Sequence, residues 1–172
     1  NCVNYATTDV TIKNKGILIG SFSSGSSGST GHLKNCVNYG YTKLTDASGT
    51  ANNWVAGIAA RVYGSIADCT NNGDITITSA TPTTYVGGVV AQAYGTDMEN
   101  ITSKVAISCG PLHNNKTRVG GAIGRIAADS DTYISKVTNE GDINFAHGAG
   151  ASAWETIAGG VIGIVGDGSE CD

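Results

Sequence analysis

The pentapeptide Asn-Cys-Val-Asn-Tyr opens the chain and returns unchanged at residues 35–39. An identical segment that recurs after about one supersecondary unit indicates an internal repeat, which must be recognised before any local pattern is interpreted. The copies of the repeat start at Cys2, Cys36, Cys69, Ile101 and Val137. Successive starts are 34, 33, 32 and 36 residues apart. The sequence is therefore organised as five copies of one unit.

Each copy contains two recurring segments joined by a polar loop. The first is clearest at residues 69–77, CTNNGDITI, where apolar and polar residues alternate as in a strand with one buried face. The second is an apolar, glycine-containing segment such as residues 86–95, VGGVVAQAYG. Its equivalents are residues 15–22, 55–64, 119–127 and 158–166. Length differences between copies fall in joints rich in Ser, Thr, Gly and Asn, which are typical of turns.

Composition argues against a helical fold. The chain has 25 Gly residues, which disfavour helix interiors, while Val, Ile, Thr and Tyr recur in short runs. A period of this size with two β segments per unit predicts an all-β fold: a right-handed parallel β-solenoid, or β-helix, of about five coils of roughly 33 residues. We expect it to form a single repeat domain over residues 1–172. A β-sandwich with chance internal similarity is the alternative.

Side-chain alternation assigns one face of the first segment to the core. In the third copy the inward residues are Cys69, Asn71, Gly73, Ile75 and Ile77. In the fifth copy they are Val137, Asn139, Gly141, Ile143 and Phe145. Cys109 falls in the column of Ile77 and Phe145, so we expect it in the core as well.

Stacked coils place equivalent residues roughly 4.8 Å apart, so a column must hold residues that tolerate their own copies as neighbours. We expect the inward asparagines to form a structural ladder, with amides that hydrogen-bond from coil to coil and to the backbone of the turn. The ladder residues are Asn4, Asn38, Asn71 and Asn139. Ser103 interrupts the series. On this interpretation the pentapeptide repeats because the coil repeats.

The pairing of a Cys-x-Asn-x-Gly-x-Ile segment at residues 69–77 with Gly-Gly segments at residues 87–90 and 120–124 resembles GLUG-type repeats. The resemblance covers nearly the whole chain and implies a parallel β-helix of the pectate-lyase-like class, as in bacterial surface and secreted adhesin-like proteins. Two copies depart from it, with Ala56 for the first glycine and Lys104-Val105 for Asn-Gly. The motifs indicate a scaffold, and no functional residue carries over from them.

The residue types that usually carry chemistry are scattered. Cysteines at one repeat position predict reduced, buried thiols, because side chains of parallel in-register strands point the same way. The three histidines lie in different loops without ligand spacing, so we predict no metal site and no cofactor. Asp74 and Asp142 face outward about two coils apart, near 10 Å, without a basic residue opposite them. We interpret them as solvated strand residues and predict that the chain is not an enzyme.

Aromatic residues give the candidate ligand-binding site. Trp54 and Tyr85 share a repeat position just before the second segment, and Trp154 lies close by in the last copy. A row of rings at the edge between a loop and a strand is suited to stacking on sugar rings. The alternative is that the rings cover the core at the corners of the coils.

An outer apolar stripe gives the candidate self-association site. Arg61, Gln92 and Arg125 share a column and are expected to face outward, and period-two alternation then directs other residues of the same segments outward. The outward apolar residues predicted in this way are Val90, Ile123, Ile162 and Ile164. Such a stripe is expected to be covered by another chain or, equally, by the chain's own loops.

The chain starts and stops inside a repeat without a capping sequence, which favours a longer array or end-to-end assembly. We therefore expect a structural or adhesive protein, extracellular or at the cell surface: a stalk, adhesin segment or filament subunit whose partners are itself or flanking repeats. The alternatives are a carbohydrate-binding module with a glycan partner and, third, a polysaccharide lyase or hydrolase. A net charge of −4 with scattered Lys and Arg disfavours nucleic acid, and no apolar run is long enough for membrane insertion.

Overall fold

The computed structural model describes residues 1–9, 14–16, 19, 31–44, 52–78, 83–110, 116–127, 131–146 and 156–166. The strands are β1 (Cys2–Asn4), β2 (Thr8–Asp9), β3 (Asn14–Gly16), β4 (His32–Lys34), β5 (Cys36–Asn38), β6 (Thr42–Leu44), β7 (Asn53–Ala56), β8 (Ala59–Asn71), β9 (Ile75–Ile77), β10 (Thr83–Gly87), β11 (Val90–Ser103), β12 (Ile107–Cys109), β13 (Lys116–Gly120), β14 (Ile123–Ile126), β15 (Ile134–Asn139), β16 (Ile143–Phe145), β17 (Thr156–Gly159) and β18 (Ile162–Val165). These ranges contain no helix, and so no helix long and apolar enough to cross a membrane.

The strands form three sheets in which every pairing is parallel. The first sheet has eight strands and runs β1-β5-β8-β11-β14-β18, with β4 beside β8 and β15 beside β11. The second sheet runs β17-β13-β10-β7-β3, and the third runs β16-β12-β9-β6-β2. Each strand therefore lies beside its equivalents in the neighbouring copies. The prediction of an all-β parallel β-solenoid is confirmed.

The pairing register follows the repeat even through the degenerate fourth copy. Ile107 lies opposite Ile75 on one side and Ile143 on the other, and Cys109 lies between Ile77 and Phe145. All the inward residues predicted for the third copy are buried, and those of the fifth copy alternate with exposed neighbours. Period-two alternation therefore identified the core face of the first segment correctly.

The interior consists of two main apolar clusters. The first lies inside the eight-stranded sheet and consists of Leu33, Cys36, Ile58, Ala59, Val62, Ile66, Cys69, Val89, Val90, Ala93, Met98, Ile101, Ala122, Ile123 and Ile126. The second lies between the other two sheets and consists of Leu44, Val55, Ile75, Ile77, Val86, Val105, Ile107, Cys109 and Val119. Strands β8 and β11 curve round the first cluster, and each changes direction at a glycine of positive φ, Gly64 (128°) and Gly95 (50°).

Most residues of the repeated pentapeptide have an identifiable structural role. Asn35 has a φ of 54°, in the left-handed region that asparagine tolerates, and it turns the chain into β5. Cys36 is buried in the first cluster, and Asn38 is buried in the ladder. The exposed ring of Tyr39 stacks on Tyr5 with centroids 5.0 Å apart. The left-handed bend recurs at Asp68, Asn100 and Lys136.

The predicted outer apolar stripe is wrong for Val90, Ile123 and Ile162. Val90 and Ile123 are fully buried in the first cluster, and Ile162 packs against it. Strict alternation fails here because Val90 and Ala93, three positions apart, both reach this cluster, so the two residues between them lie on the other side. The sequence prediction alternated strictly from the outward-facing arginines and therefore assigned Val90 and Ile123 to the wrong face. Ile164, opposite Arg125, is half-buried.

Candidate functional site

Two strands of each coil meet at a turn whose outer side gathers an unusual set of side chains. Before the turn, Val55 and Val86 point into the second cluster, which leaves their neighbours Trp54 and Tyr85 on the outside of the second sheet. After the turn, the chain packs into the first cluster. Because the two clusters lie on different sides of this turn, the outer faces of the two strands come together. We call this place the arginine–aromatic corner; its residues are Trp54, Arg61, Tyr85, Gln92, Arg118 and Arg125.

The first column of the corner is a stack of rings with a guanidinium above it. Tyr85 lies in register with Trp54 of the preceding copy and with Arg118 of the following copy. The Trp54 and Tyr85 rings stack with centroids 6.2 Å apart and an interplanar angle of 20°. The guanidinium carbon of Arg118 lies 5.7 Å from the Tyr85 centroid. The rings are thus tied to three successive copies.

The second column of the corner consists of polar side chains that reach back to those rings. Gln92 lies in register between Arg61 and Arg125 and accepts a hydrogen bond from Trp54 Nε1. The guanidinium carbon of Arg61 lies 4.9 Å from the Trp54 centroid. That of Arg125 lies 5.1 Å from the Tyr85 centroid, and its Nη1 donates to the Tyr85 hydroxyl at 2.9 Å. Guanidinium–ring contacts of this kind are attractive, more so when partly desolvated.

A pair of tyrosines extends the corner along the first sheet. Tyr63 and Tyr94 stack with centroids 4.3 Å apart and an interplanar angle of 4°. Arg61 Nη2 donates to the hydroxyls of both, at 3.3 Å to Tyr94. Burial raises the pKa of Tyr63, and the neighbouring Tyr94 raises it further, while Arg61 opposes the shift. The Tyr63 hydroxyl therefore stays protonated near neutral pH.

The cationic residues of the chain are divided between two settings. Its three arginines all contact the corner, although Arg61 comes from the second copy and Arg118 and Arg125 come from the fourth. Lysines instead form exposed pairs with carboxylates of neighbouring copies, as Lys34 does with Asp68 at 3.4 Å and Lys104 with Glu140 at 3.6 Å. Among the described residues no carboxylate forms an ion pair with Arg61 or Arg125. The corner is therefore a cationic site within a chain of net charge −4.

The Nε–H of Arg61 is buried and has no hydrogen-bond acceptor among the described residues. A buried donor of a charged group that lacks an acceptor is costly, because it has lost water without a replacement. Gln92, which is 1% exposed, is by contrast satisfied by Trp54. The guanidinium group of Arg61 thus has a hydrogen-bond donor without an acceptor among these residues, whereas the aromatic rings of the corner are fixed by their contacts.

Of the residues predicted for ligand binding, the structure brings Trp54 and Tyr85 together. Tyr85 is only 5% exposed and its ring is covered by Trp54 and two arginines, so it offers no face for a sugar ring. Trp54 is half-buried and keeps part of its ring at the surface. Trp154 lies outside the described residues. The aromatic residues therefore act as the base of the corner and not as an open platform.

Asparagine amides link the first copies directly. Asn4 Nδ2 donates to Asn38 Oδ1 at 2.8 Å, and Asn38 Nδ2 donates to Asn71 Oδ1 at 2.7 Å. Asn71 Nδ2 instead donates to the Gly88 carbonyl at 2.7 Å, because Ser103 occupies the next position of the column. Each of these amides also closes its own turn through the backbone two residues later.

Asn139 bonds to its turn in the same way as the other ladder residues. Ser103 has a buried hydroxyl without a partner among the described residues, and Val105 follows it where the other inward positions carry Gly or Ala. The glycines at the equivalent positions are crowded by the backbone of the preceding copy, since a Cβ at Gly141 would lie 1.8 Å from the Val105 carbonyl oxygen. The fourth copy thus carries a serine and a valine where the others carry asparagine and a small residue, and the register survives both changes.

The remaining titratable groups have structural roles. Burial raises the pKa values of the Cys69 and Cys109 thiols to about 12, so both stay protonated and unreactive at neutral pH. Asp74 is exposed, and its Oδ1 accepts a hydrogen bond from the Ala106 amide at 2.9 Å. Asp142 is exposed as well. The described residues contain no group of three His, Cys, Asp or Glu side chains arranged to hold a metal ion.

Sequence reasoning assigned Arg61, Gln92 and Arg125 to one column but missed their contacts with Trp54 and Tyr85. A signal was present, because all the arginines of the chain lie within ten residues of a ring position or at one, whereas lysines are spread along its length.

Comparison with family models, curated proteins and solved structures finds no match to this chain.

Proposed function

We propose that the chain is a structural repeat domain of an extracellular or cell-surface protein, a right-handed β-solenoid of about five coils of the GLUG type. It serves as a stalk, adhesin segment or filament unit, and its coils continue into further coils at the ends. We propose no catalytic activity for it. The outer apolar stripe has no part in this proposal, since Val90 and Ile123 belong to the core.

The observation that carries the proposal is the contrast between central and terminal copies. Ile107 is fully buried, whereas Ile143, the equivalent residue one copy later, is half-buried. Strands β2 and β16 are the two edges of the third sheet. Core residues and strand edges left open in this way favour pairing with another coil.

A lysine at the open end tests this association. In Ile143→Lys, a charge stands on the face that a following coil would cover, while the stem of the side chain can still pack against the second cluster. Asn144→Lys is the matched control, because residue 144 is exposed on the outer side of the same strand. Light scattering over a range of concentrations, with negative-stain images, measures the assembly.

We expect the unmodified chain and Asn144→Lys to grow into rods with concentration and Ile143→Lys to remain small. Circular dichroism shows whether the variants keep their β structure. If the unmodified chain stays monomeric at every concentration, association between molecules is refuted as its role. If both variants assemble equally, the open end is not the contact.

The arginine–aromatic corner favours carbohydrate binding as a second function on the same scaffold. Its half-buried Trp54 and guanidinium groups are features that a solenoid core does not need. The two functions are independent, since one uses the ends of the solenoid and the other uses its side.

A further inference from the structure

We propose that the arginine–aromatic corner binds an acidic polysaccharide, whose carboxylate or sulfate groups contact the guanidinium groups of Arg61 and Arg125. The chain of the polysaccharide runs along the solenoid axis, over the exposed part of Trp54 and the Tyr63–Tyr94 pair. This site does not depend on association of the solenoid ends. It gives the second function a substrate class and a defined place on the molecule.

The choice of an anionic ligand rests on the arginines. Arginine presents a planar fork of donors that matches carboxylate and sulfate oxygens, whereas lysine offers a mobile point charge. All three arginines of the chain contact this corner, and neither Arg61 nor Arg125 has a carboxylate partner among the described residues. The buried Nε–H of Arg61 has no acceptor there. An approaching anion compensates this charge through the remaining Nη donors.

The arrangement of the arginines along the solenoid axis favours an extended ligand. Arg61 and Arg125 occupy the same column with Gln92 between them, so their backbones are two coil spacings apart, roughly 10 Å. Their guanidinium groups reach toward the copy between them, where Arg61 contacts Tyr94 and Arg125 contacts Tyr85. A linear ligand that lies along the axis can contact both groups and the ring surface beside them.

The same spacing argues against nucleic acid. A nucleic acid strand carries one phosphate per ~3.4 Å of axis and is usually bound through a dense row of basic residues. The corner has few cationic groups, and the chain as a whole has a net charge of −4, which repels a densely charged polyanion. Sparse charge combined with apolar ring surface suits a sugar polymer, whose C–H groups pack against aromatic rings while its acid groups meet the arginines.

The test is isothermal titration of the folded chain with hexagalacturonate and with a hyaluronan hexasaccharide, and with maltohexaose as the neutral control. Arg125→Gln removes one guanidinium from the corner, and Arg125→Lys restores the charge without the fork. Lys104→Gln is matched in charge, but residue 104 is exposed in the turn that follows the ladder, where it pairs with Glu140. Thermal melts establish that each variant is folded.

We expect one or both acidic hexamers to bind and maltohexaose not to bind. Arg125→Gln should weaken binding at least tenfold, as loss of a charged hydrogen bond usually does, and Arg125→Lys should recover part of it. Lys104→Gln should change the affinity less than twofold. If Arg125→Gln fails to fold, Arg118→Gln takes its place, because Arg118 contacts Tyr85 from the edge of the ring column.

Three results overturn the proposal. The first is a titration in which neither acidic hexamer, at millimolar concentration, produces heat of binding or competes with the other for the chain. The second is an equal loss of affinity in Lys104→Gln and Arg125→Gln, which would indicate attraction to the whole protein and not to the corner. The third is tighter binding of single-stranded DNA than of the acidic hexamers, which would make the occupant a nucleic acid.

Discussion

Replacement of Asn38 by alanine tests how much the asparagine ladder stabilises the stacking of coils. Asn38 is fully buried, and its amide makes four hydrogen bonds. Nδ2 donates to the Gly40 carbonyl at 2.8 Å and to Asn71 Oδ1 at 2.7 Å. Oδ1 accepts from the Gly40 amide at 3.0 Å and from Asn4 Nδ2 at 2.8 Å. Alanine removes all four bonds at once.

The groups that lose these bonds are not equally affected. The Gly40 amide and carbonyl lose their Asn38 partner in the interior, and each buried group left unpaired costs about 1–3 kcal/mol. Asn4 and Asn71 keep their bonds to their own turns, so each loses only about 0.5–1.5 kcal/mol. Since water can enter part of the space that the amide leaves, we expect the free energy of unfolding to fall by about 3–5 kcal/mol.

Urea denaturation followed by circular dichroism measures this change, and Asn4→Ala is the matched control. Asn4 makes the same type of turn bond at 3.0 Å, but Asn4 is half-buried and its turn bonds are exposed, so water replaces these partners and we expect a loss below about 1 kcal/mol. Hydrogen exchange should show that the loss in Asn38→Ala is greatest in the copies on either side of it, because solenoid stability is transmitted between neighbours. A loss below 1 kcal/mol for Asn38→Ala, or equal losses for both variants, would refute the reasoning.

Two further predictions concern the packing of the coil and are measured by the same urea titration. Ile75→Asp buries an unpaired charge in the second cluster and should lower the free energy of unfolding by at least about 3 kcal/mol. Thr76→Asp lies on the outer face of the same strand and should change it by about 0.5 kcal/mol or less. Equal effects would show that the faces are wrongly assigned. Gly73→Ala places a Cβ 2.0 Å from the Gly40 carbonyl oxygen and should lower the free energy of unfolding by at least about 2 kcal/mol. Gly160→Ala is the control, because its Cβ meets nothing within 4 Å, and it should be nearly neutral. An unchanged stability in Gly73→Ala would show that the coils are less tightly stacked.

The first segment of each copy was predictable because one simple rule governs it. Period-two alternation decides which side chains enter the core, and equivalent residues must tolerate each other as neighbours. Both requirements are visible in the letters of the repeat, so the burial of Asn71 and Cys109 followed directly. The left-handed bend before the segment was not predicted, since its column contains Asn, Asp and Lys, and only the first two types commonly adopt that conformation.

The second segment was not predictable by the same rule, because its strands do not keep an unbroken pleat. A Cβ at Gly124 would lie 2.6 Å from the Val86 carbonyl oxygen, so the backbones of neighbouring copies approach too closely for a side chain at this position. On either side of it, apolar residues three positions apart enter the same cluster. That spacing recurs in the sequence as 59/62, 90/93, 123/126 and 162/165. A period of three read within a β segment would have predicted the burial of Val90 and Ile123.

The residues of the corner do not repeat from copy to copy as those of the core do. This difference is the strongest argument that the corner has a function of its own. Core columns repeat residues of similar kind, because each copy must fill the same space. The two corner columns change their residues from copy to copy: Trp54, Tyr85, Arg118 and Ile157 in one, and Arg61, Gln92, Arg125 and Ile164 in the other. In the second, third and fourth copies each of the two positions carries a ring, a guanidinium or an amide, and in the fifth both positions are isoleucine. Packing alone would be served by isoleucine throughout. The rings and guanidinium groups of the corner therefore lie in the second to fourth copies, whereas the first copy has Asn14 in the ring column. A ligand held at the corner leaves both ends of the solenoid open for other coils.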